Sequence, residues 1–302
     1  MIGRLLLLAP LLVLAPACTS DADVPHPSGD PVEDAPRVEV TELIGEIHLH
    51  QFPLGSHGWA AFLKEPVPRA LVKSDQLVDL QPAPSAVEGP CSLYVQPRCE
   101  PSCGAGMICT GDAKCTPYVP VRYINAGELR VEGSRTVKQI RMWYAGPTAP
   151  YDVDPPAGRN HLFEGGDSLH VFGLAGDLAF DGRTVGPDAV VVTQPNFDQD
   201  LHFHPGAVPL ELAWVSQASL QVVVLVTSSS RADGSGATIR CVTSDTGGLT
   251  VPASMMAALP KAPRDIRLEI ERNDERIFPT KRRGVGVIVH AAQSTWKNGV
   301  EL

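Results

Sequence analysis

Two short segments share one pattern. Glu46-Ile-His48-Leu-His50 and Asp200-Leu-His202-Phe-His204 both read acid-x-His-x-His. On a β-strand, residues two apart share a face. Each segment would then present two imidazoles and a carboxylate on one side, with Ile47 and Leu49, or Leu201 and Phe203, turned into a core. Imidazole suits zinc and copper, so neighbouring strands would bring His48, His50, His202 and His204 into one coordination sphere beside Glu46 and Asp200. The competing reading is plainer: histidines on the wet face of amphipathic strands need no metal. Pro205 and Gly206 end the second segment at once, which puts His204 close to a turn. His161 and His170 lie on other segments and could serve only as accessory ligands.

The second group of reactive side chains is Cys91, Cys99, Cys103, Cys109, Cys115 and Cys241. Five fall in one short polar stretch rich in glycine, and one lies far downstream. The stretch has no Cys-x-x-Cys pair and no histidine, so neither a zinc finger nor a thioredoxin-type redox centre is expected. An even set of six reads as disulfide staples, provided that the compartment is oxidising. Spacing alone leaves the connectivity open, but if all six pair, Cys241 must bond to a member of the cluster.

The N-terminus decides the compartment. Arg4 precedes an apolar run from Leu5 to Leu14, followed by small residues and Cys18. This is the layout of a secretory signal, and the run is about half the ~20 residues that a spanning helix needs. Leu14-Ala15-Pro16-Ala17-Cys18 resembles a bacterial lipobox, with the leucine one position further out and Pro16 intervening. The alternatives are a lipidated Cys18 and an ordinary signal cleaved near Ala17. Acyl chains on Cys18 would each contribute about 0.8 kcal/mol per buried methylene, and more than one chain gives stable anchoring. Residues 19–37 are rich in Pro, Asp and Ser and poor in apolar residues, the composition of a disordered tether.

The net charge of −9 becomes −10 once Arg4 leaves with the signal. An acidic chain of this kind is a poor partner for nucleic acid or for anionic headgroups. Lys281-Arg282-Arg283 reads as a solvated turn.

The elements that must position these groups are strands. Short apolar runs alternate with Gly, Pro and Asp punctuation at 127–133, 136–146, 168–174, 189–195, 210–215, 219–228, 238–245, 265–272 and 285–292. Leu220–Val226 lacks alternation and reads as a strand buried on both faces. Arg267, Glu269 and Glu271 alternate with Ile266, Leu268 and Ile270, the mark of a half-exposed strand. A single short helix is expected at 252–259, between Pro252 and Pro260. The fold class is mainly β: an antiparallel β-sandwich, of jelly-roll or immunoglobulin type, with a small disulfide-rich module. The chain divides into a lipoprotein signal (1–17), a disordered tether (18–37), an N-terminal β-rich segment (38–90), the disulfide-rich module (91–120) and the sandwich (121–302).

Several stretches together resemble a known group. They are the cysteine segment Cys99–Cys115, the strand Ala126–Val131, Gly166–Gly182, Leu212–Trp214 and Ile239–Pro260. In these the chain is similar to uncharacterised lipoproteins of myxobacteria and related deltaproteobacteria. The resemblance covers most of 38–275. It implies a surface or periplasmic lipoprotein with a β-sandwich, and it implies no activity.

Hydrolytic motifs are missing: there is no G-x-S-x-G elbow and no H-E-x-x-H. Asp177, Asp181 and Asp188 do not have the spacing of an EF-hand loop. Trp143, Tyr144 and Trp214 could line a sugar-binding face, although Trp214 in an apolar run reads as core. The expectation from sequence is therefore an exported, lipid-anchored envelope protein, outer-membrane or periplasmic. Its role would be binding or structural, its partners the membrane and an envelope protein or glycan, and it would be neither an enzyme nor the holder of a cofactor. The alternative is a zinc- or copper-binding protein using the paired histidine strands, with a hydrolase third.

Overall fold

Among the described residues, strand-forming runs rich in Val, Ile and Leu, broken by Gly and Pro, fold as nineteen strands, one short α-helix and a 3-10 turn at Gly176–Leu178. In the computed structural model, the described residues are 39–52, 55–68, 84–96, 98–109, 113–117, 122–147, 149, 151–153, 161–173, 176–199, 201–203, 208–217, 219–231, 235–260 and 264–301. Cys18, the signal, the tether, Asp200 and His204 lie outside them.

In chain order the strands are β1 (Glu42–Phe52), β2 (Gly55–Pro68), β3 (Ala86–Glu88), β4 (Cys91–Val95), β5 (Met107–Cys109), β6 (Cys115–Pro117), β7 (Leu129–Glu132), β8 (Gln139–Trp143), β9 (Tyr151–Val153) and β10 (Ser168–Gly173). Then come β11 (Phe180–Val185), β12 (Val192–Gln194), β13 (Leu201–Phe203), β14 (Leu210–Trp214), β15 (Gln221–Ser230), β16 (Gly236–Ser244) and β17 (Gly248–Val251). Helix α1 (Ala253–Ala257) precedes the long strands β18 (Arg264–Pro279) and β19 (Val285–Glu301).

The large sheet runs β11-β10-β7-β8-β9-β2-β1-β19-β18-β15-β16-β4-β3, with β13 alongside β19; β12-β14-β17 form a second sheet and β5-β6 a hairpin. Pairing is antiparallel except for β1 and β13, which both lie parallel to β19. Strands from 42–52 and 91–95 thus belong to the same sheet as those from the later part of the chain, and residues 38–302 form one compact unit. The fold is mainly β, a β-sandwich with a disulfide-stapled module, as the sequence predicts.

β18 and β19 have 16 and 17 residues, or about 54 Å at the usual rise per residue. That length lets one hairpin serve two cores. Along one face of β18, Ile266, Leu268 and Ile270 enter the core closed by β15, β16, β4, the second sheet and α1. Phe278 on the same face enters the other core with Val285, Val287, Val289 and Ala291 of β19, Ile47 and Leu49 of β1, and the side chains of β7, β8 and β10. The far edge of the sheet curls back onto the hairpin: Phe180 of β11 bridges Thr280. Gly182 makes that approach possible, because a Cβ there would lie 2.3 Å from the Phe278 ring.

Between the two cores, the same face of β18 carries a polar waist. The Arg272–Asp245 ion pair is 2.7 Å long and almost fully buried. Asp245 also accepts the Trp214 indole N–H at 2.6 Å and the Gln217 amide at 2.8 Å. The rest of the Arg272 guanidinium donates to the carbonyls of Asp188, Ala189 and Val215. One turn of strand further, Asp274 accepts the Thr184 hydroxyl at 2.8 Å and the Val185 amide at 2.9 Å. Each buried charge is therefore paired and hydrogen-bonded, the condition under which burial is tolerated.

All six cysteines after residue 90 pair: Cys91–Cys241, Cys99–Cys109 and Cys103–Cys115. Cys241 does join the cluster, through Cys91, which stands directly opposite it where β4 pairs with β16. The sulfurs of Cys99, Cys103 and Cys115 come close together, but all three are committed to disulfides and unavailable to a metal.

Candidate metal centre

β1, β19 and β18 lie side by side, so their side chains form three columns on each face. The column that carries Ile47 and Leu49 on β1 faces the core; Glu46, His48 and His50 point the other way, as the strand period requires. Register completes the pattern. His48 stands beside His290 of β19, which stands beside Glu275 of β18. In the next row His50 is followed by Ala292 and Asn273, and Ser294 lies opposite Glu271.

The first cluster is Glu46, His48 and His290, whose donor atoms all lie within 4.8 Å of one another. His48 Nε2 is 3.4 Å from Glu46 Oε2, and the His48 and His290 rings stack at 4.4 Å between centroids. A tetrahedral zinc ion with bonds of about 2.0–2.1 Å holds its donors about 3.3 Å apart. The His48–Glu46 pair is already at that spacing, and His290 has at most about 1.5 Å to close.

The cluster is deeply buried. Glu46 has no exposure and His290 is 2% exposed. Burial, together with the neighbouring His48 and the Arg240 guanidinium, holds the His290 imidazole well below its usual protonation range, so at neutral pH its lone pair is available. Neither ring nitrogen of His290 has a hydrogen-bond partner among the described residues; Glu275 Oε2 is 3.8 Å from Nδ1. A buried imidazole left this way is costly unless something else coordinates it.

The second cluster is His50, Glu269 and Glu271, again with donor atoms within 4.8 Å. His50 Nε2 lies 3.2 Å from Glu271 Oε2. The two reach each other across β19 because the middle column offers only Ala292 and Ser294 there. Glu269 accepts from Arg267 at 2.9 Å, and Arg267 stacks 4.7 Å over the Trp296 ring. A cleft of about 330 Å³ opens where β15 begins at Gln221, and Asn273 and Glu275 form part of its wall.

The two histidine segments do not converge. His202, on β13, pairs in register with Val300, ten residues along β19 from His290, or about 33 Å. Its side chain is exposed. Asp200 and His204 lie outside the described residues. The repeat in sequence placed both segments beside β19, but at opposite ends. The residue that sequence reasoning missed is His290. It sits in Val-Ile-Val-His-Ala-Ala, a run whose apolar character hid it; an imidazole in a strand otherwise built for burial was the available signal. His170 also stands apart, in a hairpin with Asp181 at 2.9 Å.

The aromatic residues do not form a shared platform. Trp214 is core and Tyr144 packs on the other core, whereas Trp143 is 48% exposed on β8. No protein-family model matches this chain, and no curated protein or solved structure is similar to it at a significant level.

Proposed function

We propose that this chain is an exported, lipid-anchored protein of the cell envelope that binds zinc or copper through Glu46, His48 and His290. The observation that carries the metal reading is His290: a buried imidazole whose ring nitrogens have no hydrogen-bond partner among the described residues, stacked on a second imidazole and next to a buried carboxylate. Two imidazoles and one carboxylate with no thiolate favour Zn(II) or Cu(II) over Cu(I). Three protein ligands leave one position for water or a further ligand, as in open zinc sites.

Export is supported by the signal-like N-terminus and by three disulfides, which persist in oxidising compartments. The proposed anchor is acylated Cys18, in the outer membrane or facing the periplasm.

Two measurements test the two halves. Full-length protein in detergent, exposed to zinc or copper and dialysed, should retain near-stoichiometric metal by mass spectrometry. The His48→Ala/His290→Ala variant, still folded by circular dichroism, should lose the ion at this site. Unchanged retention in that variant would sink the assignment. Cys18→Ser should move the protein from the membrane fraction to the soluble one; retention on the membrane would rule out the acyl anchor.

A further inference from the structure

The polar face of β1, β19 and β18 contains more unsatisfied chemistry than one ion explains. Asn273 is 1% exposed, and neither its amide nitrogen nor its amide oxygen has a partner among the described residues. Ser294 is 2% exposed, and its hydroxyl is equally unpartnered. Leaving such groups buried and unmatched is costly. Both sit in the rows where His50 meets Glu271: Asn273 shares a row with His50, and Ser294 lies directly across from Glu271.

We infer that His50, Glu269 and Glu271 form a second cation site, separate from the one at His290 and richer in oxygen, with Asn273 Oδ1 and Ser294 Oγ as additional donors. His50 Nε2 and Glu271 Oε2 are 3.2 Å apart, the edge length of a tetrahedral zinc site. The donor set, one imidazole with carboxylate, amide and hydroxyl oxygens, is harder than that of the first site and suits zinc or manganese better than copper.

The two sites are independent centres. His48 and His50 are two residues apart on one strand, about 6.7 Å, and their ring nitrogens meet different carboxylates, Glu46 and Glu271. The two donor sets have no residue in common. The inference rests on its own residues and stands whether or not the first site binds.

The test is zinc stoichiometry on the metal-stripped full chain, by calorimetry and by mass spectrometry. Two equivalents are expected for the unmodified protein, one for His50→Ala/Glu271→Gln and one for His48→Ala/His290→Ala. One equivalent in the unmodified protein that survives His50→Ala/Glu271→Gln overturns the second site and leaves the first standing. One equivalent that survives His48→Ala/His290→Ala, but not the other pair, supports the second site and overturns the first. No bound zinc in any of the three overturns both. Should the double variant fail to fold, Glu271→Gln alone, which keeps side-chain shape, is expected to weaken the second equivalent at least tenfold; unchanged affinity there also overturns it.

Discussion

Replacing Cys91 and Cys241 together by alanine lowers the stability of the protein by about 5 kcal/mol, the largest effect expected of any disulfide here. The bond joins residues 150 positions apart. In the chain-entropy description, a cross-link destabilises the unfolded ensemble in proportion to the logarithm of the loop that it closes. Cys99–Cys109 closes a separation of only 10 and is worth about 3 kcal/mol on the same scale. Alanine is the replacement of choice, because both sulfurs are fully buried and serine would add buried hydroxyls. Denaturant unfolding of the two double variants measures the difference. A loss at Cys91–Cys241 no greater than at Cys99–Cys109 would show that the long loop is already constrained in the unfolded state.

Asp245→Asn is expected to cost about 3–5 kcal/mol, because it removes the counter-charge of a buried guanidinium without removing the guanidinium. The side chain is fully buried, and its oxygens accept from the Trp214 indole, the Gln217 amide and Arg272. An amide of the same shape must turn two of its own hydrogens toward those donors. The damage is not confined to β16: Arg272 also holds the carbonyls of Asp188, Ala189 and Val215, which lead into and out of the second sheet. Thermal unfolding followed by tryptophan fluorescence measures the cost. Asp245→Leu with Arg272→Met should recover most of the loss, since replacing both buried charges by apolar groups is often neutral. A loss below about 1 kcal/mol for Asp245→Asn would mean that water or a rearranged loop replaces the carboxylate.

Much of this fold was legible in the sequence. The strand runs at 127–133, 168–174, 210–215 and 285–292 and the short helix after Pro252 form where alternation and proline punctuation place them; of the run Leu220–Val226, read as buried on both faces, Val222–Val224 and Val226 are buried, but Leu220, Gln221 and Leu225 are half-buried. Trp214 lies in the core as its apolar setting implied. The polar waist was not legible, and the reason is physical. Arg272 and Asp245 sit at the ends of the apolar runs 265–272 and 238–245, where nothing in the pattern marks them as buried. β18 instead continues to Pro279, and a second sheet closes over the charges. A one-dimensional pattern cannot show a lid supplied by residues elsewhere in the chain. The candidate site was half legible for the same reason. The spacing of Glu46, His48 and His50 gave their common face, but their neighbours come from β18 and β19, and register across strands decides which they are. The similarity of the second histidine segment pointed to His202, whereas the parallel pairing of β1 with β19 supplied His290.

That pairing also sets an order of events in time. His48 and His290 meet only when β19 docks between β1 and β18. A nascent or translocating chain that stops short of residue 285 has neither the middle column of the polar face nor a neighbour for those two strands. Its edges stay unpaired, the condition that invites association with other chains. Closure joins segments from near opposite ends of the sequence, the kind of contact that makes folding slow. The proposed metal at His290 would therefore not nucleate folding. On the proposed reading, an ion could bind there only after β19 has seated between β1 and β18.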